Sequence, residues 1–286
     1  MKLSIVTINY NNAEGLRRTL ASVAAQTFRD IEHIIVDAAS TDGAVEVIRE
    51  YAINVGYPVL WSSEKDRGVY DGMNKGIRKA SGDYIQILNS GDILAAPDVT
   101  ERMIDQLLTL NSSLLSENHI AILYGNMLKS YDGKTIINKD TCGGASATES
   151  FLYFYRGTLN HDCAYIRRDL FDKYGLYNED MKICSDWEWY VKAVALGGEK
   201  AVYTNIDVTV FDMNGVSESH GKNSKLIKKE RREYLEQILP TSVLHDYDEY
   251  AFPIEQYKRL KRNHLWGLVY FVERVLFKLE KCKLIK

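Results

Sequence analysis

The chain has 286 residues, 45% of them hydrophobic, with 36 Lys and Arg against 39 Asp and Glu and a formal net charge of −3. That apolar content excludes a disordered chain and suffices for one large domain with a tail or two small domains. The near-neutral charge gives no global reason to expect a nucleic acid partner. Cys142, Cys163, Cys184 and Cys282 are widely spaced and form no Cys-X-X-Cys pair, which argues against a zinc site or a disulfide framework and fits a reducing cytoplasm. A strand follows Met1-Lys2 directly, without an apolar signal region, so export is not expected.

In chain order, Leu3 to Ile8 is a short β-branched run, Asn9-Tyr10-Asn11-Asn12 a polar stretch, and Leu16, Leu20 and Val23 recur at helical spacing. The pattern repeats with strand His33 to Asp37, turn Ala38 to Gly43, and a helix begun by Val45, Ile48 and Tyr51. This βαβα order predicts a parallel sheet whose loops gather on one edge, with Thr7, Tyr10, Asp37, Asp42 and Asp92 facing one cleft. A charged loop from Ser63 leads into a third helix, then into the apolar strand Tyr84 to Leu88 and the turn Asn89-Ser90-Gly91-Asp92. Ligands of open α/β sheets bind at the carboxyl ends of the strands. The carboxylate of Asp92 there suits a hard divalent cation, Mg²⁺ or Mn²⁺, beside a diphosphate leaving group. Gly68, Gly72 and Gly76 recur at four-residue spacing, which points to close helix packing.

Past the next strand, Tyr131-Asp132-Gly133-Lys134 between strand-like arms predicts a β-hairpin with a tight Asp-Gly turn. Gly143-Gly144 marks a loop. Arg167 to Tyr174 and Asp186 to Ala195 read as helices, Val208 to Phe211 as a strand, and helical periodicity returns in the charged run Lys222 to Arg232.

The motifs SIVTINYNN, QTF, HIIVDAASTDG, KDRGVYDGMNKG and NSGD, in that order, resemble the nucleotide-binding half of family 2 glycosyltransferases of the GT-A fold. The likeness continues through Tyr124-Gly125-Asn126, Leu159-Asn160-His161-Asp162, IRRDLFDKYGLY and Cys184 to Trp189, covering roughly residues 1 to 220. It implies a GT-A domain over 1–220, with a nucleotide-sugar half over 1–92 and an acceptor and catalytic half over 93–220, followed by a helical, basic-amphipathic extension over 221–286. It further implies an inverting, metal-dependent hexosyl- or N-acetylhexosaminyltransferase using Mn²⁺ or Mg²⁺. The donor expected is a nucleotide diphosphate sugar, UDP-linked before others, and the acceptor a hydroxyl of a glycan or lipid-linked glycan in surface polysaccharide assembly. Three departures stand out. The second strand ends Asp37-Ala38 where the family commonly has two acids, the metal motif keeps one acidic ligand in Asp92, and Asn126 stands where relatives often have Asp.

The resemblance makes Asp186 the base that deprotonates the acceptor hydroxyl; helix N-capping is the alternative role for an Asp there. It assigns donor contacts to Thr7, Asn9, Tyr10, Asp37, Ser40, Asp66, Arg67, Tyr70, Asp71, Asn74, Asn89, Ser90 and Gly91. Acceptor contacts fall to His161, Asp162 and Trp187. His161 either donates to a sugar or phosphate oxygen or is a buried structural histidine, and Trp187 is expected to face the cleft as a stacking platform.

At the carboxyl end, Lys258, Arg259, Lys261 and Arg262 precede the apolar run Leu265 to Val272, which Glu273, Arg274 and Lys278 interrupt before it could span a bilayer. Two readings remain open: a helix lying in the cytoplasmic face of an anionic membrane, or one docked on the catalytic domain or a second subunit. Rival functional classes are a fold-retaining binding protein that has lost turnover and a sugar-nucleotide pyrophosphorylase. The Gly-rich, Arg-containing amino-terminal loop of the latter is absent. No Gly-X-Gly-X-X-Gly follows the first strand, which disfavours a dinucleotide oxidoreductase.

Overall fold

A computed structural model describes residues 1–113, 119–213 and 223–281. Cys282, the lysines beyond it and the domain boundary expected at residue 220 lie outside those residues. The chain divides into two compact units, Met1–Arg232 and Glu233–Lys286.

The first unit is built on one mixed sheet. Its strands are β1 (Leu3–Asn9), β2 (Ile31–Asp37), β3 (Val59–Ser63), β4 (Tyr84–Ile87), β5 (Ile93–Leu94), β6 (Ile122–Ser130), β7 (Asn138–Asp140), β8 (Ala164–Arg167) and β9 (Ala201–Asp212). They lie in the order β3-β2-β1-β4-β8-β6-β9-β5, with β7 alongside β6. Strands β3, β2, β1 and β4 are parallel. Every residue of β2 and six of the seven in β1 are buried, as expected of parallel strands covered on both faces.

The helices α1 (Ala13–Ala24), α2 (Ala44–Asn54) and α3 (Val69–Lys79) are the crossovers of this half. Leu16 and Leu20 of α1 pack with Val47 and Ile48 of α2 over Ile35 of β2. Against β1, α3 comes so close that a Cβ at Gly76 would lie 2.3 Å from Val6 Cγ1, which is the packing role expected of that glycine. The register pairs Asn9 with Asp37, so the two polar strand ends stand side by side.

In the second half, β8 runs antiparallel to β4 and to β6, β6 runs parallel to β9, and β5 runs antiparallel to β9. Ile93 pairs with Val210 just after the NSGD turn, which brings that turn beside Asp212. The remaining helices are α4 (Val99–Ser113), α5 (Phe151–Arg156), α6 (Asp169–Tyr174), α7 (Ser185–Tyr190), α8 (Ser224–Ile238), α9 (Thr241–Arg262) and α10 (Trp266–Lys281).

Two expectations change. The hairpin forms, with Met127 opposite Asp140, but its connection is a wide loop over 131–137 instead of a tight Asp-Gly turn. The Asp132 carboxylate draws in the amides of Lys134 and Thr135 and the hydroxyls of Thr135 and Ser130, and this Asx-type turn competes with continued pairing. The helix expected over Asp186–Ala195 is α7, which begins at Ser185 and passes into a π-helical turn at Val191–Leu196. Among the described residues no helix is long and apolar enough to cross a membrane.

Candidate active site

The carboxyl ends of β1, β2 and β4 gather Asn9, Tyr10, Asp37, Ser40, Asn89 and Ser90, as the sheet order requires. Asp37 is fully buried and accepts from Ser40 N (3.0 Å) and Oγ (2.5 Å), Ser63 Oγ (2.6 Å) and Asn9 Nδ2 (2.8 Å). Burial raises its pKa, but the hydrogen bonds from Ser40, Ser63 and Asn9 outweigh it and leave the carboxyl below its ordinary value. These four donors tie the end of β2 to the end of β1 at Asn9 and to Ser40 and Ser63. Tyr10, 68% exposed, presents a free aromatic face beside it. Thr7 does not reach the cleft. Its hydroxyl bonds His33 Nε2 (2.9 Å) within the buried chain His33–Tyr51–Tyr57, where burial depresses the imidazole pKa to about 3 and keeps it neutral.

Entering α3, Asp66 is half-buried, and burial raises its carboxyl above the ordinary value. Asp71 accepts from Arg67 N (2.9 Å) and pairs with Lys75 (3.4 Å). Arg67 is 76% exposed and bonds Glu179. Asn74 is committed elsewhere, its amide bridging the Tyr177 backbone in both directions (2.8 and 3.0 Å). Asn74 thus ties α3 to the segment that leads towards α7, while Asp71 is paired within α3 and the loop before it.

Asp186 lies at the second position of α7. The helix N-cap is Cys184, so Asp186 is not a cap; its carboxylate accepts from Tyr70 OH (3.1 Å) and meets His161 Nδ1 (3.1 Å). Its side chain is 14% exposed, enough to meet an incoming hydroxyl. Burial works to raise its pKa, but the His161 hydrogen bond and charge dominate and lower it, so the group is a carboxylate at neutral pH. His161 itself loses basicity to burial and regains more from Asp162 and Asp186, and its pKa rises to about 9. An imidazolium donates from both nitrogens. Asn89 lies 3.1 Å from Nε2, and turning its amide oxygen there also supplies a partner for the otherwise unpaired Oδ1.

Asp92 departs from expectation. It is buried at 4% exposure, its Oδ1 accepts the Asp212 amide (2.8 Å), and Asp162 lies beside it. Burial and then the charge of Asp162 push the Asp92 carboxyl well above its ordinary value, and burial raises Asp162 as well, against the lowering by His161. Among the described residues no group of three or more His, Cys, Asp or Glu is arranged to hold an ion. The carboxylate ligand expected at the NSGD turn thus has Oδ1 engaged by a backbone amide. The turn's geometry explains it: Gly91 takes φ +108°, its amide bonds Thr19 Oγ1 (2.9 Å), and Asp92 is directed inward towards β9.

Trp187 also differs from expectation. It is 1% exposed, its indole donates to Phe154 O (2.6 Å), and Arg231 lies 5.0 Å over the ring, so it is core and not a sugar platform. Glu230, in the charged run of α8, carries no motif that singles it out in the sequence. Its buried carboxylate accepts from the amides of Lys182 (2.7 Å), Ile183 (3.1 Å) and Cys184 (3.0 Å), bracing the segment that leads into Asp186.

Residues 4–175 match the family description "Glycosyl transferase family 2". The chain belongs to that family. A PGL/p-HBAD biosynthesis glycosyltransferase of Mycobacterium tuberculosis, Rv2957, is 26% identical over 231 residues, covering 79% of this chain and 81% of its own. Among solved structures, S. aureus TarS 1–349 in complex with UDP superimposes with a TM-score of 0.57 at 18% identity, over 74% of this chain and 60% of that one. The mannosyltransferase PcManGT from Pyrobaculum calidifontis, in complex with GDP-Man and Mn²⁺, does so with a TM-score of 0.59 at 16% identity, over 100% of this chain and 81% of that one. The family 2 chain thus has the GT-A fold, a curled mixed sheet flanked by helices.

Proposed function

We propose that the chain transfers a hexosyl or N-acetylhexosaminyl group, with inversion, from a nucleoside diphosphate sugar to a hydroxyl of a glycan or lipid-linked acceptor in surface polysaccharide assembly. The observation that carries the reading is the Asp186 carboxylate, held charged by His161 and oriented by Tyr70 beside the carboxyl edge of the sheet. As the acceptor oxygen bonds to the anomeric carbon, its proton passes to Asp186 and the bond to the nucleoside diphosphate breaks on the opposite face. The imidazolium does not leave: it keeps Asp186 ionised before the step and oriented through it. UDP is the first donor to try, because the similar TarS structure holds UDP. Mn²⁺ accompanies GDP-Man in the mannosyltransferase structure, and an ion arriving with the donor here would need ligands besides Asp92, whose Oδ1 accepts a backbone amide.

The test is a thermal-shift and transfer screen of the purified chain with UDP- and GDP-sugars, with and without Mn²⁺. One nucleotide should stabilise the fold, by about 2.7 kcal/mol at a hundredfold excess over its Kd. The matching sugar should then appear on a hydroxyl acceptor with inverted anomeric configuration. Binding without transfer to any acceptor would favour the fold-retaining binding protein instead.

A further inference from the structure

We infer that the last turn of α9 and the helix α10 form a face that lies on an anionic membrane. Residues 256–286 hold nine Lys and Arg against two Glu, a net of +7 in a chain whose total is −3. Along α10, Leu268, Phe271, Val272, Val275 and Leu276 recur at the i, i+3, i+4, i+7, i+8 positions of one helical face. That face is uncovered: Leu268 is 63%, Phe271 64% and Leu276 44% exposed. The cations stand off it. Arg274 lies 5.9 Å over the Tyr270 ring and Lys281 5.0 Å over that of Phe277, while Lys258, Arg259 and Lys261 are exposed at the end of α9. A helix apolar on one face and cationic beside it settles in the plane of a bilayer interface, and α10 is too short and too charged to cross. A second copy of the chain is a poorer occupant, because pairing two such faces brings two clusters of like charge together.

This inference goes beyond the transferase reading, and its test needs no turnover. The full chain is sedimented with vesicles of phosphatidylglycerol in phosphatidylcholine, and with vesicles of phosphatidylcholine alone. It should bind the first, bind the second weakly, and release as salt rises towards about 1 M, where the Debye length falls to about 3 Å. The combined variant Lys258→Glu, Arg259→Glu, Lys261→Glu and the pair Phe271→Ser, Val275→Ser should each weaken binding on the order of 10-fold or more. Both should keep the parental melting temperature and the parental response to nucleotide. Parental protein that ignores phosphatidylglycerol vesicles overturns the inference. So does binding to both vesicle types that charge reversal leaves unchanged. A dimer that the Phe271, Val275 pair dissociates, without vesicle binding, makes the face a subunit contact.

Discussion

His161 stands between two acids, and its charge decides what Asp186 can do. Asp186 faces Nδ1, Asp162 and Asn89 face Nε2, and the hydroxyl of Tyr70 completes the shell around Asp186. Replacing His161 with Asn keeps a polar side chain and removes the cation. The pKa of Asp186 should then rise, so the acid limb of the pH–rate profile should move to higher pH while donor affinity stays near the parental value. An unmoved limb would mean that His161 only fills space. The same pair predicts a stability slope. The folded-state pKa of His161 is raised from 6.5 to about 9, so its contribution is complete below about pH 6.5 and is lost as pH rises through about 9. Urea titrations across that window should show a loss in the parent that is smaller in His161→Asn.

Asp92 yields a different prediction at the same scale. Asn there can still accept the Asp212 amide, so Asp92→Asn should leave stability and the Mn²⁺ response of transfer nearly unchanged. Asp92→Ala leaves buried polar groups unpaired and should cost about 1–3 kcal/mol in urea denaturation. Loss of the Mn²⁺ response in the Asn variant, with the fold intact, would restore Asp92 as a ligand.

The elements around the site differ in how far they were legible. Strands β1, β2 and β4 and the crossovers α1 to α3 announce themselves through apolar runs, helical spacing and turn residues, because local periodicity dictates them. The placement of Asp186 came from the family motif, since nothing local distinguishes a base from a cap. What escaped were long-range pairings. Asp92 meets an amide 120 positions away and Glu230 braces amides 46 to 48 positions away, and neither leaves a trace in a window of sequence. Trp187 was misplaced because helical spacing does not say which face of so short a helix meets the core. Glu230→Ala should therefore act through α7. The loss of three backbone hydrogen bonds to a buried carboxylate should destabilise the fold by about 2 kcal/mol and lower kcat more than it changes donor affinity. Parental kcat in a measurably destabilised variant would detach Glu230 from the catalytic geometry.

For the molecule as a whole, a parallel half is joined to a mixed half that carries β8, β6 and β9, and Asp186 is brought from the second half against Tyr70 of the first. The family match ends at residue 175, before α7, so Asp186 rests on its geometry. Parental protein and Asp186→Asn should be compared for donor binding by thermal shift and for sugar transfer under saturating donor. Asn retains the contact with Tyr70 but cannot take the acceptor proton. The account predicts parental donor binding with transfer slowed at least roughly 100-fold. Transfer at the parental rate by a folded Asp186→Asn protein would contradict it.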